Sequence, residues 1–281
     1  MSKLDLGPVG VALTVSDAYL GQAAELERLG YSALWLPGGQ IDDLNRLTEI
    51  IRATTAVPVA SAIISLDVYP ASSVAGLYAQ LEASAPGRLV AGLGGPQKAH
   101  PLPALNDYLD HLDQADPPVP AGRRLLAALG PRKLELARDR FAGAIVLLVT
   151  PTYTSAARRI LGDDSTLVID QMLVLDGDAA RARQTARRPL RFLSGLPGYR
   201  ASFARMGFTD GDIAGLSDAL VDQLVLWGDT DAITARIGEY RQAGADHVLL
   251  HVLSDGDQPG PIEAARRLAG GLVSHNVEPA R

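Results

Sequence analysis

The chain has 281 residues, 47% of them hydrophobic and 21% charged, with 28 glycines and 18 prolines, a composition that fits a globular core joined by short turns and argues against disorder. A formal charge of −6 removes the electrostatic drive for binding nucleic acid or an anionic membrane, and points to a small-molecule partner. The absence of cysteine excludes disulfides, thiolate metal sites and cysteine nucleophiles.

Met1 to Pro8 carries Lys3 and Asp5 but no apolar signal core, and no stretch approaches about 18 uninterrupted apolar residues, so a cytoplasmic protein is expected. The first unit is the apolar run Val9 to Leu13. Ser16 and Asp17 follow as candidate caps, then a helix carrying Leu20, Ala23, Ala24 and Leu29 that Gly30 stops. Ala33 to Leu36 reads as a buried strand, and Asp42 to Thr54 as a helix with Leu44, Leu47 and Ile51 on one stripe. Strand Val57 to Ile64 precedes helix Pro70 to Ala85, and Leu89 to Leu93 is the fourth strand.

From Gly95 to Ala121 the chain is richer in Pro and Asp, with one short helix at Leu105 to Leu112, and reads as an elaborated loop or lid. Regularity returns with strand Leu125 to Leu129, helix Arg132 to Arg140, strand Ala144 to Val149, helix Thr154 to Leu161, strand Thr166 to Leu175 and a helix after it. Arg191 to Leu226 forms a second irregular segment with two expected helices, the latter carrying Leu216, Leu220 and Leu224. Helix Asp229 to Ala243, strand His247 to Val252 and helix Pro261 to Leu272 complete the count.

Strands that alternate with amphipathic helices imply a parallel sheet, because parallel strands need crossovers that cover both sheet faces. Eight such units predict an α/β fold, a closed (β/α)8 TIM barrel forming one domain over residues 1–281, with insertions after strand 4 and after strand 7. In such a barrel the chemistry sits at the carboxyl ends of the strands. The expected lining is therefore Thr14, Pro37, Gly38, Ser61 to Ser65, Gly94 to Gln97, Gly130, Thr150, Gln171 and His251. Gly92-Leu93-Gly94-Gly95 lacks the G-x-G-x-x-G spacing and meets Pro96 where a helix should open, which rejects a Rossmann site. His247 and His251, four residues apart on a strand, lie roughly 13 Å apart along it and cannot chelate one ion, so no metal site is expected.

Five stretches carry a family resemblance: AAELERLGYSALWL (23–36), PGRLVAGLG (86–94), VPAGRRLLAALGPRKLELARDR (119–140), TPTYTSAARRILG (150–162) and GADHVLLHVL (244–253). They resemble the luciferase-like monooxygenase superfamily, and within it the F420-dependent oxidoreductases of actinobacterial type. The resemblance implies a cofactor ring lying across the carboxyl ends of the strands, hydride transfer at its central ring, and a homodimer. It also aligns Ser61, Ala62 and Ile63 with a bulged, non-proline cis peptide that buttresses the ring in relatives, and places that bond at Ala62-Ile63.

Gly130, Pro131 and Arg132 end one strand and open a helix, presenting free N–H groups and the positive helix end to a cofactor phosphate, with Thr150 as a further donor. Gly94 and Gly95 would line the ring, and Gln171 would hold a carbonyl of cofactor or substrate. His251, Tyr153 and His100 are the candidate catalytic groups, with Tyr199 able to act as wall or lid. Each of these side chains has a plain packing or surface alternative. The basic run Arg181, Arg183, Arg187, Arg188 and Arg191 reads either as a solvated helix face or as a seat for the polyglutamate tail of F420.

The resemblance thus implies an F420-dependent oxidoreductase that transfers a hydride between the deazaflavin and a small organic substrate, with C=C or C=N reduction favoured. One alternative is an FMN-dependent monooxygenase of the same superfamily. Another is a cofactor-free paralogue, motivated by Gly38 where many relatives carry Glu and by the altered stretch Ala144 to Leu148.

Overall fold

Eight apolar runs of the sequence become parallel strands that close on themselves in the computed structural model, which describes residues 3–95 and 101–273. In chain order the strands are β1 (Val9–Ala12), β2 (Ala33–Pro37), β3 (Val59–Ala62), β4 (Ile64–Ser65), β5 (Leu89–Gly94), β6 (Arg124–Ala127), β7 (Gly143–Leu147), β8 (Thr166–Leu175), β9 (Leu226–Gly228) and β10 (His247–Val252). The barrel runs β1-β2-β3-β5-β6-β7-β8-β10 and closes where β10 pairs β1 through Val9↔Val248. β4 continues β3 beside β5, and β9 hangs on the carboxyl end of β8.

Side chains alternate along a strand, so every barrel strand sends one set outward and the other inward. Outward residues such as Val11, Leu34, Leu36, Val59, Leu93, Leu126, Ile169 and Leu250 belong to the main core beneath the helices. Inward residues Ala12, Ala33, Trp35, Ala60, Val90, Leu125, Ile145, Val168 and Leu249 fill the cylinder. With both faces covered, the strands read as near-continuous apolar runs.

The surrounding helices are α1 (Tyr19–Arg28), α2 (Asn45–Ala53), α3 (Ala71–Ser84), α4 (Pro101–Gln114), α5 (Pro131–Arg140), α6 (Pro151–Leu161), α7 (Ala179–Leu193), α8 (Pro197–Arg205), α9 (Asp210–Gly215), α10 (Asp218–Leu224), α11 (Thr230–Gln242) and α12 (Pro261–Leu272). Several begin on side-chain caps: Thr150 for α6, Asp178 for α7, Ser217 for α10 and Asp229 for α11. Each cap satisfies an otherwise orphaned N–H, a contribution of about 1 kcal/mol. Helix α5 starts at Gly130 without any side-chain cap.

The Ala62-Ile63 peptide is cis, where the resemblance places it, and there the strand expected over Val57 to Ile64 divides in two as the register with β5 slips from Ala60↔Val90 to Ile64↔Leu93, a bulge of one residue. Two elements differ from expectation. The short helix expected at Leu105 to Leu112 extends over all of α4, which buries Leu105, Leu109 and Leu112 at helical spacing. Between β8 and β10 the two helices expected over Arg191 to Leu226 are three, α8 to α10. Gly207, with φ +95°, and Leu216, with φ +46°, interrupt them.

Four arginines of the run on α7 are held in ion pairs. Arg181 meets Asp176, Arg183 meets Asp222 and Asp218, Arg187 meets Asp218, and Arg188 meets Asp255. The second and third of these fasten α7 to α10, and Arg183 also lies over the Trp227 ring at 5.5 Å. Four of the five arginines in that run thus spend their charge on the protein's own carboxylates, which favours the solvated-face reading.

Candidate functional site

At the carboxyl end of the barrel the wall made by β2, β3 and β5 is poor in side chains, with Gly38, Gly92 and Gly94 along it. Gly38 follows β2, and a β-carbon there would lie 2.7 Å from the carbonyl oxygen of Ile63, so the close approach of the two segments requires glycine. Ser61 is fully buried. Its Oγ donates to the Gly92 carbonyl and accepts from the Gly92 N–H, both at 2.9 Å, which supplies the two bonds the bulged strand cannot make. Downstream of the cis bond, the Ile63 side chain lies across Gly94, where a β-carbon would meet it at 2.5 Å, and forms an apolar floor at the mouth.

The opposite wall is polar. Asp170 on β8 is 5% exposed, and His251 on β10 stands with Nδ1 3.7 Å from Asp170 Oδ1. That separation is too long for a hydrogen bond, and both facing atoms are buried without another partner. Burial by itself lowers the imidazole pKa, but the adjacent carboxylate outweighs it and the net shift is upward. Tyr199 of α8 comes down onto the same spot, its phenol pushed up by burial and, secondarily, by the Asp170 charge.

A third region lies at the uncapped start of α5. The Leu129 carbonyl accepts from Tyr153 Oη and from Arg205 Nη2, each at 2.6 Å, which draws α8 over Gly130. Burial pushes the Tyr153 phenol up, with Arg205 opposing, and burial pushes the Lys133 ammonium down. The helix end, Arg205 and Arg132 make this part of the rim suited to an anion.

One expected contact is corrected. Gln171 does not face the mouth: it is fully buried on the outer side of β8, where its Nε2 donates to the carbonyls of Met172 and Leu224, because alternation sends Asp170 inward instead. Thr150 Oγ1 accepts from the Tyr153 N–H as the cap of α6, which leaves its O–H proton as the donor on offer. Tyr153 Oη donates to the Leu129 carbonyl beside Gly130. Ala62, Ile63, Gly94, Gly95, Gly130, Pro131 and Arg132 all lie at the carboxyl end as expected. His100, Pro96 and Gln97 fall outside the described residues.

Asp170 was not among the candidates, although TLVIDQMLVL carries the signal: a carboxylate inside an otherwise apolar strand is costly to bury and demands a reason. Arg205 carried no such mark. His247 takes the packing role, bonded at both ring nitrogens at the opposite end of the barrel. Among the described residues no group of three or more His, Asp or Glu is placed to hold a metal ion, and no helix is long and apolar enough to cross a membrane. A cavity of about 480 Å³ opens outside the mouth between the β8–α7 and β10–α12 turns, but its polar walls are tied internally, Arg181 to Asp176 and Gln258 to Thr185 and Asp176.

No protein-family description and no curated protein matches the sequence. Among solved structures, an F420-dependent secondary alcohol dehydrogenase in complex with an F420-acetone adduct superposes with a TM-score of 0.71 at 14% identity, over 95% of this chain and 99% of that one. The coenzyme F420 dependent tetrahydromethanopterin reductase from Methanopyrus kandleri gives 0.70 at 16% identity, over 96% and 99%. The FMN complex of the oxygenating constituent of 3,6-diketocamphane monooxygenase from Pseudomonas putida gives 0.68 at 12% identity, over 98% and 100%. At these identities the likeness establishes a shared fold along the whole chain.

Proposed function

We propose that this chain is a luciferase-like oxidoreductase that holds a flavin-like cofactor, F420 in the first place, across the mouth of the barrel and reduces a small organic substrate there. The observation that carries the reading is the asymmetry of the mouth. A side-chain-poor wall with an Ile63 floor suits the face of a flat ring, and it stands opposite a buried acid–base pair with unsatisfied atoms. Fold likeness to both F420-dependent and FMN-containing enzymes supports it and leaves both cofactors to be tested.

The residues present fit such a group. Gly38 and Gly94 keep the wall low, Ile63 supplies apolar contact, and the α5 end with Arg132 and Arg205 is suited to the phosphate. When bound, the cofactor supplies a hydride. Helix α8 covers the rim from the α5 side, and Tyr199 and Phe203 on it help exclude water, while His251 presents a ring nitrogen to whatever binds above the floor.

Titrating the protein with F420 and separately with FMN, followed by tryptophan fluorescence quenching, tests the proposal. Micromolar binding of F420 alone is the expected result. Binding of FMN alone transfers the reading to a monooxygenase, and binding of neither overturns it.

A further inference from the structure

We propose that Asp170 and His251 are the proton-handling pair of this mouth, with His251 donating a proton through Nε2 and Asp170 acting as the positioning residue that keeps the ring charged and oriented. The substrate class follows: a polarised double bond, C=O, C=N or conjugated C=C, whose reduction leaves an atom in need of a proton. The inference rests on the redox reading of the mouth and deepens it.

The geometry has three parts. Asp170 lies in the middle of a ten-residue strand in which every residue is buried, and its Oδ1 is buried without a hydrogen-bond partner, so that oxygen needs a cation or a donor close by. His251 is the group that faces it, Nδ1 to Oδ1 at 3.7 Å, and both atoms are otherwise without hydrogen-bond partners. With Nδ1 turned to the carboxylate, Nε2 is the nitrogen turned away from it. The His251 side chain remains 27% exposed, unlike fully buried His247 on the same strand.

The other neighbours do not compete. On β1 the adjoining residues Ala12 and Leu13 carry no charge. From α8 comes Tyr199, a phenol kept neutral by burial and by Asp170. Beyond β10, Asp255 is occupied by Arg188. The charge on His251 is thus set by Asp170 against burial, and Asp170 prevails.

The balance is that of a two-electron reduction. The substrate carbon gains a hydride from a reduced flavin-like donor, the π electron pair moves to the neighbouring atom, and that atom takes the Nε2 proton. Neutral imidazole is then reprotonated from water through its exposed edge.

Histidine-labelled NMR of the protein without added cofactor tests the pair directly, in the wild type and in Asp170→Asn and Asp170→Glu. The wild-type His251 signal is expected to titrate above the ordinary value of 6.5, to fall below the wild-type midpoint in Asp170→Asn, and to recover in Asp170→Glu. A wild-type midpoint below 6.5 overturns the proposal even where neither variant folds, and an unmoved midpoint in folded Asp170→Asn does the same. Wild-type protein that binds neither F420 nor FMN, yet shows the raised midpoint, would overturn the redox reading and leave the pair standing.

Discussion

The Trp35 indole Nε1 donates to His247 Nε2 at 3.0 Å inside the barrel, while His247 Nδ1 lies 2.7 Å from the Gly7 carbonyl oxygen. One nitrogen must accept and the other must donate, so this imidazole is neutral and carries its proton on Nδ1.

Burial pushes the His247 pKa down to about 4. Above pH 6.5 the ring is neutral both folded and unfolded, and stability is unaffected. As pH falls from 6.5 toward 4 the unfolded chain binds a proton that the folded chain refuses, so stability declines, by about 3 kcal/mol in all. Urea unfolding at pH 7 and at about pH 4.5 should show a larger acid loss in the wild type than in His247→Gln, and equal losses would contradict the assignment.

Ser61→Ala removes both bonds to Gly92 and leaves a buried N–H and C=O without partners at the bulge. The expected cost is about 2 to 3 kcal/mol, independent of pH between 5 and 9 because no titrating group takes part. Thermal unfolding across that range checks it, and a loss below about 0.5 kcal/mol would show that the bulge closes without the hydroxyl.

The Arg124 guanidinium is 1% exposed at the start of β6, pairs with Asp113 of α4 at 2.7 Å, and leaves Nε and Nη1 unpartnered. Removing the acid strands a buried cation, whereas removing the cation strands only a carboxylate that Arg140 already holds. Asp113→Ala should therefore destabilise by about 2 kcal/mol or more, and Arg124→Met by clearly less. Denaturant midpoints in the reverse order would refute this account.

Much of the fold was legible because burial on both faces writes each barrel strand as an apolar run, and helical stripes such as Leu47 and Ile51 on α2 mark the crossovers. The bulge at Ala62-Ile63 came from the family resemblance and not from any local pattern, since VASAIIS reads as ordinary strand. The same double burial that made the strands visible hid their phase. In TLVIDQMLVL there is no apolar–polar alternation to show whether Asp170 or Gln171 faces the barrel axis, and the choice of Gln171 was wrong for that reason.

By itself the sequence determined which segments are strands and helices and their order, because periodicity and chain connectivity are local properties. Tertiary structure alone decided which side chains meet. Asp170 faces His251, Trp35 bonds His247, and Arg205 reaches Leu129 across 76 positions. Those pairings depend on strand register and on where a helix comes to rest, and both are set by packing between segments far apart in the chain.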